Sequence, residues 1–297
     1  MAGGAHGAGS QGWPATRPPD PLGPTGRPVR SWAYQLQRYA GGRLDELAAA
    51  PHDLVVIDLA RDAGTAWFTA EEVGALRARG KVVLAYFEVG SIEKYRPEAS
   101  AVRKAPEGLR LNRWEDWPEE HFVRYWEESW WEIAVRPRVD RALAAGFDGV
   151  YLDTPLAYEE IDRKLVPGMS RRELARRMVE LIIRLSEHAK RQRPGFWVVP
   201  QNSPELREFP GYTEAIDALA MEELFFRATD KPCTKGWCAE NLEHTRALRR
   251  AGKLVLAVDY ADRPENIDTA CRRYAEEGFV GYVAPLALDS VRPPPWA

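Results

Sequence analysis

The chain has 297 residues, a formal net charge of −3 and an apolar fraction of 45%. This length and composition are typical of a globular protein with one large domain or two small ones. The slightly acidic balance argues against a broad basic surface, so nucleic acid is not an expected partner. No apolar run approaches the roughly 20 residues that a membrane-spanning helix needs, so no membrane span is predicted.

The first segment, residues 1–30, is dominated by Gly and Pro and lacks the apolar core of a secretory signal. Such a composition cannot bury enough apolar surface to fold, so we predict that this segment is disordered or a linker.

Eight short runs rich in β-branched and aromatic residues follow, and each leads into a polar or acidic residue. They span residues 31–37, 53–60, 81–89, 149–154, 195–202, 217–224, 254–261 and 281–285. Helical patterns lie between them, for example "TAEEVGALRARG", with Thr69 as the cap and Gly80 at the end. A second helix begins at Ser170, where Glu173 three residues later indicates a capping box.

Strands that alternate with helices predict parallel strands joined by crossover connections. Eight such units in about 260 residues favour a closed α/β fold, the (β/α)8 TIM barrel. We expect the barrel to span residues 31–291, followed by a short tail at 292–297. The alternative is a doubly wound open sheet, but no Gly-rich dinucleotide motif follows the first strand.

The longest insertion follows the third strand, from Ser91 to about residue 130. It carries many of the chain's tryptophans, namely Trp114, Trp117, Trp126, Trp130 and the adjoining Trp131. Some of these side chains are expected to pack in the core, whereas exposed ones near a barrel mouth are suited to stacking on sugar rings.

Polar side chains stand at the ends of the strands, where the loops of a barrel build its active face. Asp153 ends the run "GVYLD" and Glu222 lies near the end of "DALAMEEL". An ionised carboxylate at the end of a buried strand is costly unless it is paired or has chemical work to do. Asp58 has two readings, substrate binding or an ion-pair cluster within "DLARD".

Crowded carboxylates raise the pKa of one member and leave its neighbour ionised. One protonated acid beside one ionised carboxylate is the catalytic pair that glycosidases use. No His ends a strand, as a metal-dependent hydrolase would need, and neither Lys81 nor Lys253 lies at the end of a strand, where a Schiff-base lysine belongs. We therefore predict no metal and no cofactor. Cys233 and Cys238 are close enough in sequence to form a loop disulfide in an oxidising compartment.

Five motifs, in this order, resemble glycoside hydrolase family 114: "YQLQRY", "DLVVIDLARD", "VVLAYFEVGSIEKYRP", "AGFDGVYLD" and "AVDYA". The family includes endo-α-1,4-polygalactosaminidases, which are (β/α)8 barrels that act on polymers containing galactosamine. The resemblance covers about residues 31 to 291 and implies a galactosamine-containing polysaccharide as substrate. Family relatives are often exported, which implies a secreted or cell-envelope location.

By match to the family's motifs, the resemblance implies Asp153 as nucleophile and Glu222 as general acid/base. Glu223 is the neighbouring acid, but strand alternation should turn it the other way. Further side chains at the strand ends are predicted to bind substrate: Tyr34, Asp58, Tyr86, Glu88, Asn202, Asp259 and Tyr260.

One departure from the family concerns the residues after the third strand. Many relatives carry Ser-x-Gly-Glu there, whereas this chain has Glu88, Val89, Gly90 and Ser91. The exchange leaves the identity of the polymer open. Two other functions therefore stay under consideration: a glycosidase for an uncharged glycan, and a barrel that binds carbohydrate without cleaving it.

Overall fold

The computed structural model describes residues 23–24 and 26–294, and eight parallel strands form its centre. All eight predicted runs are strands. They are β1 Trp32–Tyr34, β2 Leu54–Asp58, β3 Val82–Glu88, β4 Gly149–Asp153, β5 Trp197–Pro200, β6 Ala218–Glu222, β7 Leu254–Tyr260 and β8 Val280–Ala284. Almost every residue of these strands is buried, as parallel strands covered on both faces require.

The strands form a (β/α)8 barrel, although the backbone ladder is not continuous around it. β1 to β5 pair in one parallel sheet, and β6, β7 and β8 pair in another. A parallel bridge between Gln201 and Ala220 joins the two sheets. Between β8 and β1 the described strands show no backbone ladder, and the rings of Trp32 and Tyr282 pack there with centroids 5.9 Å apart.

Helices cover the outside of the barrel. They are α1 Asp45–Ala49, α2 Ala70–Ala78, α3 Ala99–Lys104, α4 Glu128–Trp130, α5 Arg136–Ala144, α6 Ala157–Glu160, α7 Arg171–Gln192, α8 Tyr212–Ala215, α9 Gly236–Arg250 and α10 Pro264–Glu277. A π-helical stretch, Trp131–Val135, joins α4 to α5, and short 3-10 turns lie at Ala40–Gly42, Arg163–Leu165 and Pro204–Glu208. None of the helices in residues 26–294 is long and apolar enough to cross a membrane.

The predicted N-terminal caps of α2 and α7 are both present, but the capping box is complete only at α2. Thr69 and Glu72 form a complete capping box at α2. At α7 the Ser170 side chain accepts a hydrogen bond from the Glu173 amide, as predicted. The Glu173 carboxylate, however, forms an ion pair with Arg176, which lies one turn further along the same helix.

The insertion after β3 forms a small antiparallel sheet, which we call the insertion sheet. Its strands are Ser91–Glu93, Arg110–Arg113 and Glu120–Val123, with the last in the middle. Most of the tryptophans of this region are core residues: Trp130 and Trp131 are buried, and Trp114 and Trp126 pack against the core. Trp117 is 55% exposed, so the sugar-stacking prediction stays open for this residue.

The loop after β6 is held by a short hairpin and by one disulfide. Phe226–Arg227 pairs with Lys231–Pro232 in a short hairpin. Cys233 and Cys238 form a disulfide, with Cα atoms 5.9 Å apart, that ties the hairpin to the first turn of α9. The loop that follows Glu222 is therefore well anchored.

Ordered structure begins before residue 31. Val29 is buried, and the amides of Arg30 and Ser31 donate hydrogen bonds to Asp53 Oδ2. Most of the predicted disordered segment, residues 1–22 and 25, lies outside the described residues. The same holds for residues 295–297 of the predicted tail, while Arg292 binds the carbonyl of Ala261.

Candidate active site

Two carboxylates occupy the carboxyl ends of strands β4 and β6. Asp153 is the last residue of β4, and Glu222 is the last residue of β6. Both side chains are partly accessible, whereas the residues before them are buried. A chain of contacts links the two acids: Gln201 binds Glu222 and accepts from Tyr34, and the ring of Tyr34 lies 6.2 Å from that of Tyr86, which donates to Asp153.

Glu222 is held by hydrogen-bond donors on both oxygens. The hydroxyl of Tyr260 donates to Oε1, and Nε2 of Gln201 donates to Oε2. Asn202 adds a longer contact of 3.5 Å from Nδ2 to Oε2, while its Oδ1 accepts from the Glu222 amide at 3.0 Å. Burial and the charge of Asp153 outweigh these donors and raise the pKa of Glu222 to about 8. The group is therefore protonated at neutral pH.

Asp153 is held in a similar way from two sides. Tyr86 donates its hydroxyl to Oδ2 at 2.5 Å, and the amide of Thr154 donates to Oδ1 at 2.6 Å. Burial raises the pKa of Asp153, and these two donors oppose that shift because they favour the ionised form. Both carboxylate oxygens of Asp153 are thus fixed in orientation, and the two donors stabilise a negative charge on this group.

Tyrosine rings form the floor beneath the two acids. The ring of Tyr34 lies 5.0 Å from that of Tyr151 and 6.2 Å from that of Tyr86, centroid to centroid. The Tyr34 hydroxyl donates to Gln201 Oε1 at 3.3 Å, which orients the amide that binds Glu222. Tyr34, Tyr86 and Tyr260 are all buried at 7% exposure or less. These predicted site residues act on the acids from below, through their hydroxyl groups.

Asp58 and Glu88 occupy a buried ion-pair network instead of the open cleft. Asp58 is 2% exposed and Glu88 is 1% exposed. Arg96 contacts Asp58 at 2.9 Å and Glu88 at 3.2 Å, and Arg138 contacts Glu88 at 3.2 Å. For Asp58 this is the ion-pair interpretation of the sequence, and the prediction that these two acids bind substrate stays a prediction.

Asp259 is likewise enclosed, with no exposed surface. Its Oδ1 accepts from the amides of Phe225 and Phe226, both at 2.7 Å, and its Oδ2 accepts from the hydroxyl of Tyr274 at 2.6 Å. Burial raises the pKa of Asp259 to about 6. Asp259 thus shapes the chain that follows Glu222, and the prediction that it contacts substrate stays a prediction.

The neighbouring acid, Glu223, has a different role from Glu222. Its backbone adopts a left-handed conformation with φ of 56°. Its Oε1 accepts a hydrogen bond from the Ala228 amide at 2.7 Å. Glu223 thus caps the turn after β6 and leaves Glu222 as the acid that faces the Tyr260 hydroxyl.

The exchange of Glu88 and Ser91 has a structural consequence. Ser91 is fully buried, and its hydroxyl donates to Oε1 of Glu120 and lies 3.0 Å from Oγ1 of Thr154. Thr154 has φ of 60°, a strained value for a β-branched residue, and accepts from the Gly90 amide at 2.9 Å. Through Ser91, the carboxyl group of Glu120 in the insertion sheet is thus connected to the turn after Asp153.

Close packing fixes this arrangement. A Cβ atom on Gly90 would lie 2.3 Å from the Thr154 carbonyl oxygen, so no other residue fits between β3 and the turn after Asp153. Sequence reasoning missed Glu120, Arg96 and Arg138, since each lies in or beyond the insertion with no strand end to mark it.

The arrangement combines a supported carboxylate with a carboxylic acid that keeps its proton at neutral pH. Such a pair can attack or stabilise an electrophilic carbon from one side while it protonates a leaving oxygen from the other. The chemistry is that of glycosidic bond cleavage.

Comparisons with known proteins agree with this chemistry. The model of glycoside hydrolase family GH114 matches residues 13–295. An uncharacterized protein of Deinococcus radiodurans is 37% identical over 265 residues, which are 89% of this chain and 82% of that protein. A second uncharacterized protein, from Thermotoga maritima, is 31% identical over 88% of this chain and 82% of its own length.

Two solved structures share the fold. The glycoside hydrolase domain of PelA from Pseudomonas aeruginosa superposes with a TM-score of 0.67 at 24% identity, covering 88% of this chain and 97% of that domain. Ega3 of Aspergillus fumigatus, solved in complex with galactosamine, gives a TM-score of 0.68 at 17% identity, covering 89% and 96%. The matched family model and the relative from Deinococcus radiodurans show that this chain belongs to glycoside hydrolase family 114.

Proposed function

We propose that the protein hydrolyses α-1,4-galactosaminidic bonds within an amino-sugar polysaccharide. Family membership makes glycoside hydrolysis its class of activity. One observation carries the proposal of mechanism: Asp153 and Glu222 end strands β4 and β6, which flank β5, and each carboxyl group is held there by a tyrosine hydroxyl. The galactosamine found in the complex of Ega3 supports the choice of sugar.

Glu222 donates its proton to the glycosidic oxygen as the bond from that oxygen to the anomeric carbon breaks. Asp153 attacks the anomeric carbon and forms a covalent bond to it. The carboxylate of Glu222 then removes a proton from a water molecule, which attacks the same carbon and releases Asp153. Gln201 and Tyr260 stabilise Glu222 in its ionised intermediate state, since both donate hydrogen bonds to it.

The test is a comparison of the parent with Asp153→Asn and Glu222→Gln on fully deacetylated galactosaminan, measured as new reducing ends. Each substitution should lower the rate by a factor of at least about 10³, because it removes the nucleophile or the proton donor. Glu223→Gln is the matched control, because Glu223 caps the turn after β6, and it should keep most of the activity.

Each rival function predicts a different result in this assay. A barrel that only binds carbohydrate would retain the polymer without producing reducing ends. A glycosidase for an uncharged glycan would cleave acetylated polymer and leave the deacetylated polymer intact. Full activity of either acid variant would refute the assignment of the pair.

We also propose that the protein acts outside the cytoplasm. The disulfide between Cys233 and Cys238 supports this location, because disulfides persist in oxidising compartments. Fractionation of the producing cells, with thiol labelling of each fraction, would test it.

A further inference from the structure

The acids at the mouth of the barrel fall into two groups according to their counter-charges. Arg96 and Arg138 lie within ion-pair distance of four of them, namely Asp58, Glu88, Glu93 and Glu98. Among residues 26–294, neither Asp153 nor Glu222 nor Glu120 forms an ion pair with Arg or Lys. Asp153 and Glu222 are assigned to the reaction, so Glu120 is the unassigned member.

Glu120 is built into the site and not displayed on the surface. It is 7% exposed and starts the central strand of the insertion sheet. One oxygen, Oε1, accepts from the buried hydroxyl of Ser91. Within residues 26–294, Ser91 is the side-chain donor to Glu120, and the other oxygen, Oε2, accepts no side-chain hydrogen bond there. A carboxyl group that is more than nine-tenths buried and keeps an unused oxygen has room for a ligand atom.

Three further acids lie around Glu120, and Arg96 forms ion pairs with two of them, Glu88 and Glu93. Glu93 lies directly opposite it in the register of the insertion sheet, and like charges in that position are destabilising. The Ser91 hydroxyl that binds Glu120 lies 3.0 Å from Oγ1 of Thr154, the residue that follows Asp153, and the charges of Asp153 and Glu88 act on Glu120. Burial and these three charges raise the pKa of Glu120 to about 9. Without a ligand, Glu120 therefore carries a proton. A bound cation would neutralise the Glu120 carboxylate in place of that proton.

We infer that Glu120 binds the ammonium group of the amino sugar whose anomeric carbon reacts with Asp153. The position fits the chemistry of a 2-amino-2-deoxy sugar, in which the amine is attached to the carbon next to the anomeric carbon. A group that interacts with Asp153 and has a free oxygen lies where such a substituent must be accommodated. The inference rests on the proposed function, and it selects Glu120 over Asp58, Glu88 and Asp259, which are at most 2% exposed.

The binding step is an exchange of one cation for another. Protonated Glu120 and the ammonium form of the sugar give an ion pair between carboxylate and ammonium, and one proton is released to the buffer. An N-acetylated sugar has no charge and leaves the proton on Glu120. Binding of the two sugars should therefore differ in proton release as well as in affinity.

The experiment is calorimetry on the full chain carrying Glu222→Gln, which prevents cleavage and removes the titration of Glu222. A short α-1,4-linked galactosamine oligomer and its N-acetylated counterpart are titrated in buffers of different ionisation enthalpy. The pH is set below the pKa of both the amine and Glu120. The expected result is release of about one proton per galactosamine oligomer and none with the acetylated oligomer.

Adding Glu120→Gln should abolish this proton release and weaken galactosamine binding about 10- to 100-fold, the usual contribution of a charge-assisted hydrogen bond. Binding of the acetylated oligomer should not change. Glu119→Gln is the matched control, because Glu119 is the adjacent acid, is exposed and pairs with Lys94. It should keep both the affinity and the proton release.

Two results would overturn the inference alone. The first is galactosamine binding to the Glu222→Gln protein without proton release, a result that does not require the Glu120→Gln variant to fold. The second is unchanged affinity after Glu120→Gln. Failure of the Glu222→Gln protein to bind any galactosamine oligomer, while the parent degrades another glycan, would overturn the proposed function together with it.

Discussion

Replacing Tyr260 with Phe should move the alkaline limb of the pH–rate profile to higher pH. The Tyr260 hydroxyl donates to Oε1 of Glu222, and a donor to the ionised form lowers the pKa of an acid. Without that donor the pKa of Glu222 rises further above its value of about 8. A hydrogen bond to a charged group contributes about 1.5–3 kcal/mol, and about 1.36 kcal/mol corresponds to one pKa unit, so we expect a shift of about one to two units.

The assay is the pH dependence of kcat/KM on a galactosamine oligomer, because kcat/KM reports the essential groups of the free enzyme. Tyr158→Phe is the matched control, since the Tyr158 hydroxyl binds Glu159 and Glu205, away from the acid pair. The amine of the substrate titrates identically with all three proteins and cancels in the comparison. An alkaline limb that stays in place or moves to lower pH in Tyr260→Phe would show that Glu222 is not the proton donor.

Two further predictions concern the other acid and the buried arginine. Tyr86→Phe removes the 2.5 Å hydrogen bond to Asp153, and the loss of this donor raises the pKa of that acid. The acid limb of the pH–rate profile should therefore move to higher pH by about one to two units. An acid limb that does not move would exclude Asp153 as the group that must be ionised. Arg96→Gln leaves Asp58 and Glu88 buried with less counter-charge and should destabilise the fold by about 3–5 kcal/mol in calorimetric melting. Burial raises the pKa of Asp58, and Arg96 opposes that rise. Without Arg96 the folded-state pKa of Asp58 lies further above its unfolded value, so the loss of stability should grow as the pH rises, and equal losses at acidic and alkaline pH would contradict this reasoning.

The barrel was predictable from the sequence because its signal is repeated eight times. Each strand is a short apolar run, seven of the eight have an acid or amide near the end, and each run proved to be a strand. The insertion sheet was not predicted. Its strands have only three or four residues and carry several charged or polar side chains, as in "RLNR" and "EHFV", so each is too short to give a clear alternation of apolar and polar residues.

The same difference separates the site residues that were predicted from those that were not. Asp153 and Glu222 were recognisable because each ends a buried strand. The sequence could not tell that Asp58 and Glu88 are enclosed, because their partners lie far away along the chain. Arg96 is 38 residues from Asp58, and Arg138 is 50 residues from Glu88. An acid at a strand end has the same local pattern whether an arginine covers it or not.

The position of the arginines therefore divides one ring of acids into a structural part and a reactive part. Where Arg96 and Arg138 reach, the carboxylates are paired and the mouth is rigid. Where they do not reach, burial is tolerated because protons replace the missing counter-charge, and the pKa values of about 8 for Glu222 and about 9 for Glu120 express this. One of these protons is suited to transfer to a leaving oxygen and the other to exchange for a substrate cation. Both Arg96 and Glu120 belong to the insertion after β3, so this segment controls the charge of the site as well as its shape.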